Sequence, residues 1–293
     1  MTTPTTEYAP GLAQLTAINE ESATSRPPIA TASRRRVYWC LRIGAGMCFI
    51  GHGAFGLITK AAWLPYFALV GISSDTAFTL MPLIGMLDIS VGIAVLVSPR
   101  PFILLYMAAW ALWTALLRPL VGETPFELVE RAGNYGVPFA LLCLVGWPRT
   151  LESWFAVQRA EAATGNIGAA GRVLLWTTTL LLFGHGALEA ITAKAIFATH
   201  FASIGLPPSA VAIAGWGEMI IALAVMVRPK PRLLVAIAVW KVLTEALFPL
   251  SGTPIWEFVE RAGSYAAPFA LALLVTSPRG ATLPRRSSHE TRE

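Results

Sequence analysis

Apolar runs of about twenty residues recur along this chain, and they constrain its fold more than any other feature. A run of this length crosses the hydrocarbon core of a bilayer as a helix, because lipid offers the backbone no hydrogen-bond partners. Only 13% of the residues are charged, against about 25% in soluble domains. The sequence therefore predicts an all-α integral membrane protein.

Eight transmembrane helices are predicted, and the fourth needs a separate argument. Its purely apolar part, 136–147, is too short to cross a membrane, so the helix must begin earlier. Thr124 followed by Pro125 is a typical helix start. A break at Gly133 into an interfacial helix is the alternative. The predicted spans are 37–58, 77–97, 102–121, 124–147, 173–192, 209–227, 232–250 and 254–276.

The second half of the chain repeats the first. Residues 119–149 and 249–279 are identical at 18 of 31 positions, and the stretch ERAGNYGVPFA at 130–140 returns as ERAGSYAAPFA at 260–270. An even number of helices in each copy makes the two copies parallel, related by an axis along the membrane normal. We therefore predict two four-helix repeats, a linker between them and two tails. Their bounds are 1–36 (disordered cytoplasmic tail), 37–149 (first unit), 150–171 (cytoplasmic linker), 172–280 (second unit) and 281–293 (cytoplasmic tail).

The basic residues predict the orientation of the chain. Of its 22 lysines and arginines, 16 lie in the tails and turns on one side of the predicted bundle. By the positive-inside rule this side is cytoplasmic, so both termini are expected there, in a bacterial inner membrane. The same distribution argues against nucleic acid as a partner of the basic chain. The three cysteines lie inside apolar runs without a Cys-x-x-Cys pair, so a disulfide framework is not expected.

Ionisable residues inside the predicted spans are the candidate functional residues, since each costs about 2.5–3.5 kcal/mol at mid-membrane. His52 and Asp88 in the first unit match His185 and Glu218 in the second. We expect the repeated motif to close a pocket on each pair, in the outer half of its own unit. The candidate residues are His52, Asp88, Glu130, Arg131, Tyr135, His185, Glu189, Glu218, Lys241, Glu245, Glu260, Arg261 and Tyr265.

Each of these residues also has a purely structural interpretation. The carboxylates and histidines can fasten neighbouring helices, and Glu127 with Arg131 can form an ion pair four residues apart. Tyr135 and Tyr265 can serve as interfacial anchors. Extra charges at Glu189, Lys241 and Glu245 make the second unit the more polar one. If only one unit is active, we expect it to be the second.

Gly51-His52-Gly53 with Lys60, and Gly184-His185-Gly186 with Lys194, stand in units of about 110 residues with an acidic residue in the second helix. This pattern resembles the DoxX-like membrane proteins, and it covers 37–149 and 172–280. Some DoxX-like and DoxD-type proteins are subunits of a thiosulfate:quinone oxidoreductase. The resemblance therefore implies a redox or quinone-interacting subunit with a membrane or peripheral redox partner. The repeated Glu-Arg-Ala-Gly element lies outside the resemblance.

Three functions stay open at this stage. The first is the quinone-interacting redox subunit, because proton-coupled quinone chemistry needs a nearby acid or base. The second is a small-molecule or proton-coupled transporter, and the third a non-enzymatic membrane assembly protein. The cofactor is left open, with a quinone as one candidate and a haem held between His52 and His185 as a weaker one. No metal site is predicted, and enzymatic activity is left open.

Overall fold

The computed structural model describes residues 28–160 and 165–276, and within these ranges every regular element is a helix. The helices are α1 (Pro28–Leu57), α2 (Leu64–Leu69), α3 (Ser74–Val97), α4 (Pro101–Leu120), α5 (Phe126–Glu130), α6 (Ala132–Val145), α7 (Leu151–Phe155), α8 (Ile167–Ala190), α9 (Ala195–Ser203), α10 (Pro208–Val227), α11 (Pro231–Leu250), α12 (Trp256–Glu260) and α13 (Ala262–Val275). The 3₁₀ turn Ala61–Trp63 precedes α2. The all-α prediction is confirmed.

Several helix starts follow from local sequence. Proline occupies the first turn of α4, α10 and α11, where its missing N–H has no intrahelical role. The Ser73 hydroxyl accepts from the Thr76 N–H at the start of α3, and the Asn166 side chain accepts from the Ala169 N–H at the start of α8. These caps and prolines begin α3, α4, α10 and α11 within three residues of the predicted spans, and α8 six residues before its span.

Seven segments are long and apolar enough to cross a membrane, against the eight that we predicted. They are Ala32–Leu57, Ser74–Val97, Pro101–Leu120, Ile167–Ala190, Pro208–Val227, Pro231–Leu250 and Trp256–Val275. The predicted fourth span is not among them: the apolar helix there, α6, has only 14 residues. Large apolar side chains such as Ile213 and Val227 are more than 70% exposed, consistent with lipid contact.

The predicted tail and linker bounds need correction where residues are described. Helix α1 already begins at Pro28, so residues 28–36 are helical rather than part of a disordered tail. The predicted linker contains the short helix α7 and the first turn of α8. The predicted tail residues 1–27 and 281–293 lie outside the described residues.

The repeated motif interrupts its helix at the arginine. The chain leaves helical geometry at Arg131 between α5 and α6, and at Arg261 between α12 and α13. The helix is continuous through Gly133 and Gly263, so the alternative of a break at Gly133 is wrong. It starts at Phe126, whose N–H donates to the Thr124 hydroxyl at 3.4 Å, one residue after the predicted first position.

The two halves are packed by an exchange of their last helices. Helix α6 packs on α8 of the second half, and α13 packs on α1 of the first, while α6 and α13 also contact each other. Gly133 and Gly263 bring the backbones of α6 and α13 together so closely that a Cβ on either would overlap the other's backbone. Both copies of the motif therefore have glycine at this position because the two helices pack backbone to backbone there.

Candidate functional site

A histidine–carboxylate pair lies in each half. His52 Nδ1 lies 2.8 Å from Asp88 Oδ2, and His185 Nδ1 lies 2.8 Å from Glu218 Oε2. Glycines flank both histidines and allow this contact, because a Cβ at Gly53 would overlap the α3 backbone at Gly85. In each pair the carboxylate accepts, so Nδ1 carries the hydrogen and Nε2 is the basic atom of the neutral ring.

The first pair opens onto a cavity of about 900 Å³ that both halves line. His52 is 21% exposed and stacks on Trp63, with ring centroids 4.7 Å apart. Apolar and aromatic walls stand near it, and charged groups stand farther along. The lining includes Trp63, Met81, Ile84, Trp110, Glu130, Arg131, Glu260 and Arg261. We predicted one pocket in each unit, whereas this cavity is shared.

The repeated motif contacts the opposite half from the one that we expected. The backbone of Glu130 lies against Gly184, one residue before His185, and the backbone of Glu260 lies against Gly51. Two ion pairs make the same crossing: Lys194 Nζ to Glu127 Oε1 at 2.5 Å, and Lys60 Nζ to Glu257 Oε1 at 2.7 Å. The expectation that each motif closes on the pair of its own unit therefore holds only in part: Glu130 and Arg131 line the cavity with His52 of their own half, but the closest backbone contacts of each motif are with the other half. The exchange of α6 and α13 is the physical reason.

Glu130 joins the two motifs electrostatically. It accepts from Arg131 at 2.7 Å and from Arg261 of the other half at 2.6 Å, while only 5% of its side chain is exposed. The Glu127–Arg131 pair forms at 2.8 Å, as the spacing of four residues predicts. Glu260, the counterpart of Glu130, has no ion pair within the described ranges. The motif is thus symmetric in sequence and asymmetric in its contacts.

The second pair is enclosed in a buried charge cluster. Glu218 Oε1 accepts from Trp240 Nε1 at 2.6 Å and lies 3.8 Å from Lys241 Nζ. Lys241 lies 3.2 Å from Glu245, which in turn lies 3.5 Å from Arg261. His185 is only 3% exposed in its side chain, and the cavity lining does not include it. The buried residues of this cluster therefore contact one another and do not line the cavity, whereas Glu260 and Arg261 of the same half do.

One group of side chains has the spacing of a metal site. His185, Glu189 and Glu218 each offer a ligand atom within 4.8 Å of the others. The Lys241 ammonium already places a positive charge against Glu218, which disfavours a second cation there. The separation of His185 from the cavity that His52 lines likewise disfavours a haem held between the two rings.

The two tyrosines of the motif have backbone partners. The Tyr135 hydroxyl donates to the Leu128 carbonyl at 3.4 Å, and the Tyr265 hydroxyl donates to the Phe258 carbonyl at 3.3 Å. Both bonds bridge the interruption at the arginine within their own half. Neither tyrosine lines the shared cavity, so their contacts are structural.

Sequence reasoning missed four aromatic or imidazole residues: Trp63, Trp110, Trp240 and His200. Trp110 and Trp240 stand 130 residues apart, the same separation as Asp88 and Glu218, and this repeat was the available signal. His200 is buried between Phe197 and Phe248 on α9, outside the spanning segments. Burial, assisted by the Arg261 guanidinium, lowers the pKa of His200 from 6.5 to about 4.

The region of the second half that corresponds to the cavity is filled. Leu188, Phe197, Phe201, Val211 and Leu247 form a separate packed apolar cluster there. At the matching positions of the first half, Trp63, Phe67, Met81 and Leu117 line the open cavity. The cavity is therefore open on the side of the first half, and Leu188 and Phe197 of this cluster form part of its wall on the side of the second half.

Comparison with family models, with curated proteins and with solved structures finds no match to this chain.

Proposed function

We propose that this chain is a quinone-interacting redox subunit of a bacterial inner membrane, built from eight membrane helices in two parallel repeats with both termini in the cytoplasm. The redox part of the proposal rests on the resemblance to the DoxX-like proteins. The seven apolar segments support the part that places the chain in a membrane. The eighth span would be α5 and α6 together, matching the α12–α13 segment in length.

One observation carries the proposal: His52 faces a large aromatic cavity while Asp88 holds its Nδ1 from behind. The pair leaves Nε2 toward the cavity as a proton donor or acceptor, and the buried carboxylate fixes the ring. A volume of about 900 Å³ fits a small organic ligand, since such pockets measure about 300–1,000 Å³. Trp63, stacked on His52, extends a flat surface suited to a quinone ring.

This chain supplies the protons of the proposed reaction but not its electrons. Reduction of a quinone to a quinol takes two electrons and two protons. A partner redox protein delivers the electrons, and His52 transfers a proton to the quinone oxygen and is recharged from solvent through the cavity. The first half is the active one in this proposal, because its pair, and not that of the second half, reaches the cavity.

A stability assay with a soluble quinone tests the proposal. The full-length protein in detergent is heated with and without tetramethylbenzoquinone, and an increase in Tm with ligand is expected for the wild type. His52→Gln should lose that increase, whereas Gly217→Ala, at a position with open space around it that does not line the cavity, should keep it. A wild-type Tm that is indifferent to the quinone, with no quinone co-purifying by mass spectrometry, contradicts the proposal.

A proton-coupled transporter is the second candidate, and the buried chain of ion pairs favours it. Glu218, Lys241, Glu245, Arg261 and Glu130 follow one another at 3.8, 3.2, 3.5 and 2.6 Å from mid-helix to the cavity. The three carboxylates of this chain can each take up a proton, while Lys241 and Arg261 hold them in place by their charge. Proton flux into reconstituted vesicles that Glu218→Gln leaves unchanged would remove this candidate.

A further inference from the structure

The two carboxylate pairs differ by one methylene group, and the difference leaves two polar atoms of the first half without partners. In the second half both oxygens of Glu218 are engaged, one by His185 and one by the Trp240 indole. Asp88 is wholly buried, and its Oδ2 meets His52, but its Oδ1 has no partner. Trp110 Nε1, at the position of Trp240, is also buried without a partner.

The repeat indicates that these two atoms lie near each other. Asp88 corresponds to Glu218 and Trp110 to Trp240, each 130 residues apart on matching helices. The longer glutamate accepts from its indole at 2.6 Å, whereas Asp88 Oδ1 and Trp110 Nε1 form no hydrogen bond. A buried donor and a buried acceptor without partners are both costly, so the site favours a group that satisfies them together.

The geometry points to a binding site for a ring hydroxyl between Asp88 Oδ1 and Trp110 Nε1, next to the cavity that Trp110 and His52 line. This inference rests on the proposed function and specifies its ligand: an aromatic alcohol, such as the quinol form of a quinone. A hydroxyl accepts from the indole N–H and donates to the carboxylate. A carbonyl would leave Asp88 without a donor, and an anion would be repelled by it.

The cavity around this site fits the ring that carries the hydroxyl. Trp110 and His52 both belong to the lining, together with Trp63, Met81 and Ile84. These side chains supply aromatic and aliphatic surface beside the polar atoms, the usual composition of a small-molecule pocket. The second half lacks such a site, because Glu218 and Trp240 close on each other and the apolar cluster around Phe197 fills the adjoining volume.

Equilibrium binding of labelled 2-naphthol to the full-length protein in detergent tests the inference, with 2-methoxynaphthalene as the ligand that cannot donate. We expect 2-naphthol to bind at least tenfold more tightly. Asp88→Glu should weaken 2-naphthol at least tenfold, because the longer side chain reaches Trp110 as Glu218 reaches Trp240. The same variant should raise the Tm of the ligand-free protein.

Trp110→Phe is the second variant, in case Asp88→Glu does not fold. It should reduce 2-naphthol binding to the level of the methoxy compound, whereas the matched Trp240→Phe should leave it unchanged. Equal affinity for the two compounds, as a bridging water would produce, overturns the inference, and so does full binding by both Asp88→Glu and Trp110→Phe. If 2-naphthol binds as expected but tetramethylbenzoquinone does not stabilise the protein, the site stands and the proposed redox function fails. The reverse result removes the site alone.

Discussion

Replacing Glu130 by glutamine should destabilise the protein strongly, because this one carboxylate joins the two halves. It accepts from Arg131 at 2.7 Å and from Arg261 at 2.6 Å and is nearly buried. Hydrogen bonds to charged groups contribute about 1.5–3 kcal/mol each, and removing one partner of a buried ion pair costs about 3–5 kcal/mol.

The contacts that remain in the variant reduce this cost. Arg131 keeps Glu127 at 2.8 Å, whereas Arg261 keeps only Glu245 at 3.5 Å and Glu257 at 3.7 Å. Glutamine also keeps one oxygen as an acceptor. We therefore expect Glu130→Gln to lower the free energy of unfolding by about 3 kcal/mol, at the lower end of the range for buried pairs.

Equilibrium unfolding in mixed micelles measures this loss, and the motif supplies its own control. Glu260→Gln changes the corresponding residue, which has no ion pair in the described ranges, and should cost less than about 1 kcal/mol. A double-mutant cycle of Glu130→Gln with Arg261→Gln should give a coupling of about 1–3 kcal/mol. Equal losses in Glu130→Gln and Glu260→Gln, or strict additivity in the cycle, would refute the reasoning.

Three further perturbations test the packing, the buried imidazole and the lipid-facing surface. Gly133→Ala should lower the free energy of unfolding by about 1–3 kcal/mol, because the added methyl group forces α6 and α13 apart. Gly217 has open space around it, so Gly217→Ala should be neutral or stabilising. Equal effects of the two substitutions would contradict the close contact. The pKa of His200 is about 4 when folded and 6.5 as a reference, so stability should fall as pH drops from 6.5 to 4, by at most about 3 kcal/mol. His200→Phe should flatten that part of the unfolding profile, and an unchanged slope would show that the imidazole is not its source. The side chain of Ile220 is 66% exposed on α10, so Ile220→Asp should make membrane insertion of this helix less favourable by about 2.5–3.5 kcal/mol. A glycosylation assay of insertion measures this change. An unchanged insertion free energy would argue against a lipid-facing position.

The long apolar helices could be predicted from the sequence because their signals are local, whereas the short helices α2, α7 and α9 were not predicted. Apolar run length, together with proline and cap residues, placed their starts within a few residues, apart from α1 and α8, which begin nine and six residues earlier than expected. The interruption at Arg131 could not be predicted this way. Nothing in the order Glu-Arg-Ala-Gly distinguishes a continuous helix from one that turns at the arginine, because the contacts of Arg131 with Glu127 and Glu130 are those of the folded chain.

The residues of the site could be predicted better than their partners. Ionisable groups inside apolar runs drew attention to His52, Asp88, His185 and Glu218, and the structure pairs them as neighbours. The repeat does not say which copy of a helix packs on which, since both arrangements bury identical motifs. Because α6 and α13 pack on the opposite halves, the backbone of each motif lies beside the histidine of the other half. The expectation of two separate pockets is wrong for the same reason.

The last prediction asks whether the second half binds ligand or supports the cavity of the first. Glu245 is wholly buried, lies between Lys241 at 3.2 Å and Arg261 at 3.5 Å, and does not line the cavity. Arg261 does line it and stays fixed by Glu130 when Glu245 loses its charge. If the second half is a support, Glu245→Gln should lower the free energy of unfolding by about 3 kcal/mol and leave the affinity of the folded protein for tetramethylbenzoquinone unchanged. An unchanged stability with a lost affinity would instead make the second half the binding half, as its greater polarity first indicated.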